Sequence, residues 1–149
     1  PCRPKDFGGN QNFTVMNICV DFETAKELST NGFPQPGYPI PNQSEVVGKL
    51  FYSPSGNKFL GCWQESDNSI TLQPHLHNKE TSGVTKVCFA PTAIEIIEQM
   101  PPGTRILFDL SVWECWFPIA QMQEDFRYDV CPHKSAALAF IAWKKGMEC

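Results

Sequence analysis

The sequence predicts an α+β fold, an antiparallel β-sheet with about three helices packed on it and stapled by disulfides, in one domain over residues 1–149. Three observations predict it. Strand-like runs outnumber helix-like ones, and hairpin turns mix with strand–helix junctions. Three helical segments each begin just after a cysteine. Seven cysteines stand at Cys2, Cys19, Cys62, Cys88, Cys115, Cys131 and Cys149, the nearest two being 16 residues apart. Zinc sites bring ligands in close pairs. Dispersed cysteines in a small chain fit a disulfide framework instead, built where thiols stay oxidised.

In chain order, strands are expected at 13–20, 47–52, 58–63, 69–73, 84–89, 105–117 and 126–131. Pro54-Ser55-Gly56-Asn57 and Glu65-Ser66-Asp67-Asn68 are hairpin turns between neighbours in that series. The long stretch 105–117 is either a central strand or one that bends midway. A first, short helix starts near Thr24 and ends at Asn31-Gly32, with Ala25 and Leu28 able to face a core. A second runs from Pro91 to Met100, with Ala93, Ile96, Ile97 and Met100 on one stripe. Both carry Thr-Ala-x-Glu, the capping-box pattern in which the Thr oxygen takes a free amide and the Glu reaches back. A third runs from Pro132 to Lys145 and is apolar nearly all round from Ala136 to Trp143, which implies burial on most sides. Pro132 suits its first turn, and Lys144 and Lys145 suit its C-terminal end. The repeated order of strand, cysteine and helix reads equally as duplication or as the common chemistry of caps.

Asn31 to Glu45 holds four prolines and reads as an extended surface loop, either a passive connection or a functional one that offers Phe33 and Tyr38 as partner-contact candidates. Trp113-Glu114-Cys115-Trp116-Phe117 is the densest aromatic cluster. On a strand Trp113, Cys115 and Phe117 share one face, and Trp116 shares the other with Glu114. If the first face is core, Trp116 becomes a third partner-contact candidate.

The net charge is -4, which argues against nucleic acid as a partner. No apolar run approaches the roughly 20 residues of a membrane span. The chain starts at Pro1, as a form processed by signal-peptide removal would. The sequons at Asn12 and Asn42 are glycosylation candidates in a secreted protein. An odd cysteine count leaves one thiol over or pairs one between chains.

No nucleophile elbow, P-loop, zincin helix or dinucleotide fingerprint is present. His75 and His77 would share one strand face, but their neighbours read as an exposed loop. With Glu65, Arg105 and Arg127 they form the residue set a small secreted ribonuclease would draw on. His133 stands at a helix start, where packing or capping is the usual role.

The dispersed cysteines, the processed start, the close at Cys149 and the strand–cysteine–helix order resemble small secreted cysteine-rich effectors of plant-pathogenic fungi. The pattern is similar to the extracellular effectors of the tomato leaf mould fungus and to the Leptosphaeria avirulence-and-suppressing family. That resemblance implies helices on a disulfide-stapled antiparallel sheet, and action by host interaction rather than catalysis. The reading is therefore a secreted, extracellular, monomeric binding protein without enzyme activity or cofactor, whose partner is a host or other protein. It would work in the plant apoplast if it is a pathogen effector. A secreted hydrolase and an extracellular receptor-binding module are the alternatives.

Overall fold

The computed structural model describes residues 18–35, 47–64, 69–74, 87–120 and 122–147. Cys2, Asn12, Tyr38, Asn42, His75, His77 and Cys149 lie outside them. The architecture is α+β with three helices. The one expected sheet is two. Strands β1 (Leu50–Tyr52), β2 (Lys58–Gln64), β3 (Ser69–Pro74) and β4 (Cys88–Phe89) form an antiparallel sheet in the order β3-β2-β1-β4. Strands β5 (Arg105–Asp109), β6 (Val112–Ala120) and β7 (Gln123–Asp129) form a second antiparallel sheet in that order.

The split has a local cause. The stretch expected as one long strand turns back at Leu110 and Ser111, both in left-handed conformation with φ of 49° and 73°. Two consecutive residues at positive φ make the tight turn whose twist suits a hairpin. Asp109 then pairs with Val112, and the register runs on to Arg105 opposite Trp116. The other hairpin matches expectation more closely. Pro54 to Asn57 closes β1 onto β2, and the Ser53 amide donates to the Asn57 carbonyl at 2.9 Å. Gly56 supplies the positive φ of that turn, against the ring of Phe22.

Helix α1 (Phe22–Thr30) is capped by Asp21, whose carboxylate accepts from the Thr24 amide at 2.8 Å. The expected box at Thr24 and Glu27 is not there. Thr24 lies inside the first turn, buried, and its hydroxyl accepts from Lys134 Nζ at 2.9 Å. Helix α2 (Ala93–Ile97) is shorter than expected but keeps its capping box. The Thr92 hydroxyl accepts from the Glu95 amide, and Glu95 accepts from the Thr92 amide at 2.9 Å. Ala93, Ile96 and Met100 are buried, as their spacing requires. Helix α3 (Pro132–Met147) buries Ala136, Ala137, Ala139, Phe140 and Ile141.

The cysteine-to-helix pattern has a structural counterpart. Cys19, Cys88 and Cys131 each sit just before a helix, and Cys19 bridges Thr92 at the α2 start. The Val20 amide donates to the Pro91 carbonyl at 3.0 Å, tying two of the junctions together.

One hydrophobic core serves both sheets. Phe51, Phe59 and Leu72 enter from the first, Cys115 and Phe117 from the second, and Leu28, Ile96 and Phe140 from the helices. Helix α3 packs on β6, β7, α1 and α2. Burying one such phenylalanine is worth about 2–3 kcal/mol. Phe33 corrects an expectation. It was to be an exposed loop contact, yet it is 4% exposed. Its ring meets Phe140 edge-on at 5.0 Å and lies 6.1 Å from Phe89. The chain beyond it is held by Gln35, whose side chain accepts from the Phe89 amide at 2.9 Å and donates to the Phe33 carbonyl at 3.1 Å. No helix among the described residues is long and apolar enough to cross a membrane.

Candidate interaction surface

Strand β6 decides what the second sheet shows to solvent. Its burial alternates, with Trp113, Cys115 and Phe117 turned to the core. Helix α3 covers that side. Val112, Glu114, Trp116 and Pro118 face outward, as period-2 alternation dictates. Trp116 pairs with Arg105 on one side and Phe126 on the other. Glu114 pairs with Leu107 and Tyr128 in the next row. Six side chains from three strands thus share one face that no described helix or strand covers.

The rows are fixed by specific contacts. The Trp116 and Phe126 rings stack at 4.5 Å with 17° between planes, and Phe126 lies 6.3 Å from Tyr128. The Arg105 guanidinium sits 5.5 Å over the Trp116 ring. Arg105 also reaches across β6 to a bidentate ion pair with Glu124, the longer arm being 3.1 Å. That hydrogen-bonded pairing raises the arginine and lowers the glutamate from their ordinary ranges. The Trp116 indole donates to Glu114 at 3.0 Å. Trp116 is held from both edges and is partly buried, while Leu107 and Tyr128 are exposed beside it. Rigid aromatics of this kind lose little freedom on binding.

Trp116 was legible as an outward aromatic from the strand period. Phe126 and Tyr128 carry the same alternating signal in β7, which places them on this face beside Trp116. Arg105 was grouped with Arg127 as a source of positive charge for a hydrolase. The structure separates the two: Arg105 faces out, whereas Arg127 pairs opposite Cys115 and bonds to Asp125 at 2.9 Å.

Apart from this face, a cleft of about 530 Å³ opens where α1, the β1–β2 hairpin and the start of α3 meet. Cys19, Tyr52, Lys58, Cys131 and His133 line it. Tyr52 donates to the Val20 carbonyl at 2.9 Å. Burial pushes the Cys19 and Cys131 thiols above their ordinary range. Burial also drives the His133 imidazole down to about 4, more strongly than Asp21 and Asp129 raise it. Its Nδ1 is buried without a hydrogen-bond partner among the described residues. At neutral pH both thiols are protonated and the imidazole is neutral.

Among the described residues Cys19, Cys62, Cys88, Cys115 and Cys131 are free thiols. No group of three or more histidine, cysteine or acidic side chains among the described residues could hold a metal ion. Comparisons with protein-family models, with curated proteins and with solved structures found no match for the chain.

Proposed function

We propose that the protein is a secreted, non-enzymatic binding protein of the pathogen-effector kind, acting by docking an extracellular host protein on the outer face of β5, β6 and β7. One observation carries the reading. A sheet packed by a helix on one side presents on the other a pinned aromatic stack, Trp116 on Phe126, flanked by exposed Tyr128 and Leu107. Aromatic and arginine side chains of this sort dominate binding energy at protein interfaces. Glu114 and the Arg105–Glu124 pair give the patch a polar rim. The occupant is therefore a protein surface with apolar groups at its centre and polar groups around them.

The compartment belongs to the same proposal. The dispersed cysteines of the sequence and the sequons Asn12 and Asn42 support export and an oxidising environment, while the five described cysteines are free thiols. Mass measurement of native material, with and without reduction, reads the number of bridges directly. Seven reduced thiols would remove the extracellular assignment.

Affinity capture from plant extracellular fluid tests the face itself. Wild type is compared with a Tyr128→Ala variant, whose changed side chain is 63% exposed and carries little of the core. A protein retained by wild type and lost by the variant, and then bound directly as a purified component, is the expected result. An identical capture set in both would move the contact elsewhere.

A further inference from the structure

Strand β5 is an edge, with β6 its only strand neighbour among the described residues. Asp109 pairs with Val112 across the two-residue turn. In such a hairpin the closing pair exchanges both backbone bonds, and the bonding alternates from there. Asp109, Leu107 and Arg105 therefore bond to β6. Ile106 and Phe108 turn their N–H and C=O groups outward, and no described residue meets them. Natural edges are usually guarded by short strands, charged side chains, proline or a bulge. Arg105-Ile106-Leu107-Phe108-Asp109 is short and carries charges only at its two ends, without proline or bulge, and Leu107 and Phe108 between them are about half exposed.

We propose that this edge pairs antiparallel with the same edge of a second copy of the chain, about a twofold axis through Leu107. The charge pattern selects that occupant. With Leu107 opposite its own copy, Ile106 meets Phe108 and Arg105 meets Asp109 of the second copy. Opposite charges then face each other at both ends, with apolar pairs between them. The backbone agrees with the side chains. Ile106 and Phe108, which hold the outward bonds, fall opposite each other and exchange both of them. Asp109 makes no ion pair among the described residues. Arg105 points back across β6 to Trp116 and Glu124, so pairing with Asp109 of the second copy requires its guanidinium to turn from Glu124 towards the edge. The interface is isologous and closed, so the assembly stops at two. A five-residue strand gives a small contact, with affinity in the micromolar range or weaker. The result is one continuous sheet of both copies, with the two aromatic faces side by side. This inference stands independently of the docking role given to that face.

Sedimentation velocity over a concentration series, on the full chain, tests it. The variants are Leu107→Lys and Leu107→Glu, each of which opposes like charges across the axis. Wild type is expected to dimerise. Each variant alone is expected to dissociate at about tenfold lower affinity or worse. An equimolar mixture of the two is expected to recover association, because the opposed charges are then unlike. Circular dichroism on each variant confirms that the fold persists. A wild type that stays monomeric to about 1 mM, or a mixture no better than either variant alone, overturns the proposal. The first result would leave the edge to a strand from another protein.

Discussion

His133 makes acid sensitivity a measurable property of the fold. The residue is 9% exposed, and its Nδ1 has no partner among the described residues. The ring titrates near 6.5 in an unfolded chain and at about 4 in the folded one. The unfolded chain therefore binds the proton first as pH falls. The stabilisation is complete above about pH 6.5, declines through the interval, and is gone below about pH 4. An interval of about 2.5 pH units, at about 1.4 kcal/mol each, is worth about 3 kcal/mol at most. At pH 4.5 about 2–3 kcal/mol of it has been lost. Carboxylates leave a different mark. Asp21 and Asp125 are lowered in the fold, so their stabilisation is present above the ordinary carboxylate range and falls away below it, at lower pH. Urea unfolding followed by tryptophan fluorescence, at several pH values between about 7.5 and 4.5, gives the slope. A His133→Leu variant removes the titration and keeps the site filled. Wild type is expected to lose stability across this range and the variant to lose much less. Equal slopes in the two proteins would refute the argument that the folded ring is held neutral.

Two further expectations concern the second sheet. Leu110 and Ser111 sit at positive φ without being glycine, and the Leu110 side chain is 90% exposed. Replacing the pair by Asn-Gly relieves about 1 kcal/mol of backbone strain each, partly offset by the freedom glycine adds to the unfolded chain. A gain of about 1 kcal/mol, or about 3 °C in melting temperature by circular dichroism, is expected, and a fall would mean the turn is not strained. Cys115 is fully buried, and burial alone drives its thiol up to about 12. Alkylation at pH 8 should label Cys115 orders of magnitude more slowly in folded protein than in urea. Peptide mapping reads this, and equal rates would show the core opening freely.

Local chemistry was legible where one element decides the outcome. The Pro54–Asn57 turn, the Thr92–Glu95 box and the inward set Trp113, Cys115 and Phe117 follow from turn residues, cap spacing and strand period. What escaped depends on distant partners or on strain. Asp21 and Thr24 can each cap a helix, and Lys134, far along the chain, draws off the Thr24 hydroxyl. Leu110 and Ser111 carry no turn signature, since residues that tolerate left-handed backbone are normally glycine or asparagine. The division into two sheets was hidden with them. Phe33 sits among prolines that read as surface, but the gap beside Phe140 takes its ring. At the aromatic face Trp116 was readable. Its clamp from Arg105 and Glu114 was not, because it needs the register of three strands.

Helix α3 also sets a sequence of events in time. It follows every described strand along the chain, and it lies against both strands β6 and β7 as well as the other two helices. During synthesis Phe117 and its neighbours on β6 have no lid until α3 emerges. Hairpins can form early, but the molecule cannot seal. A nascent chain stopped short of Pro132 would therefore leave this side of β6 open to chaperones and proteases, and α3 closes it.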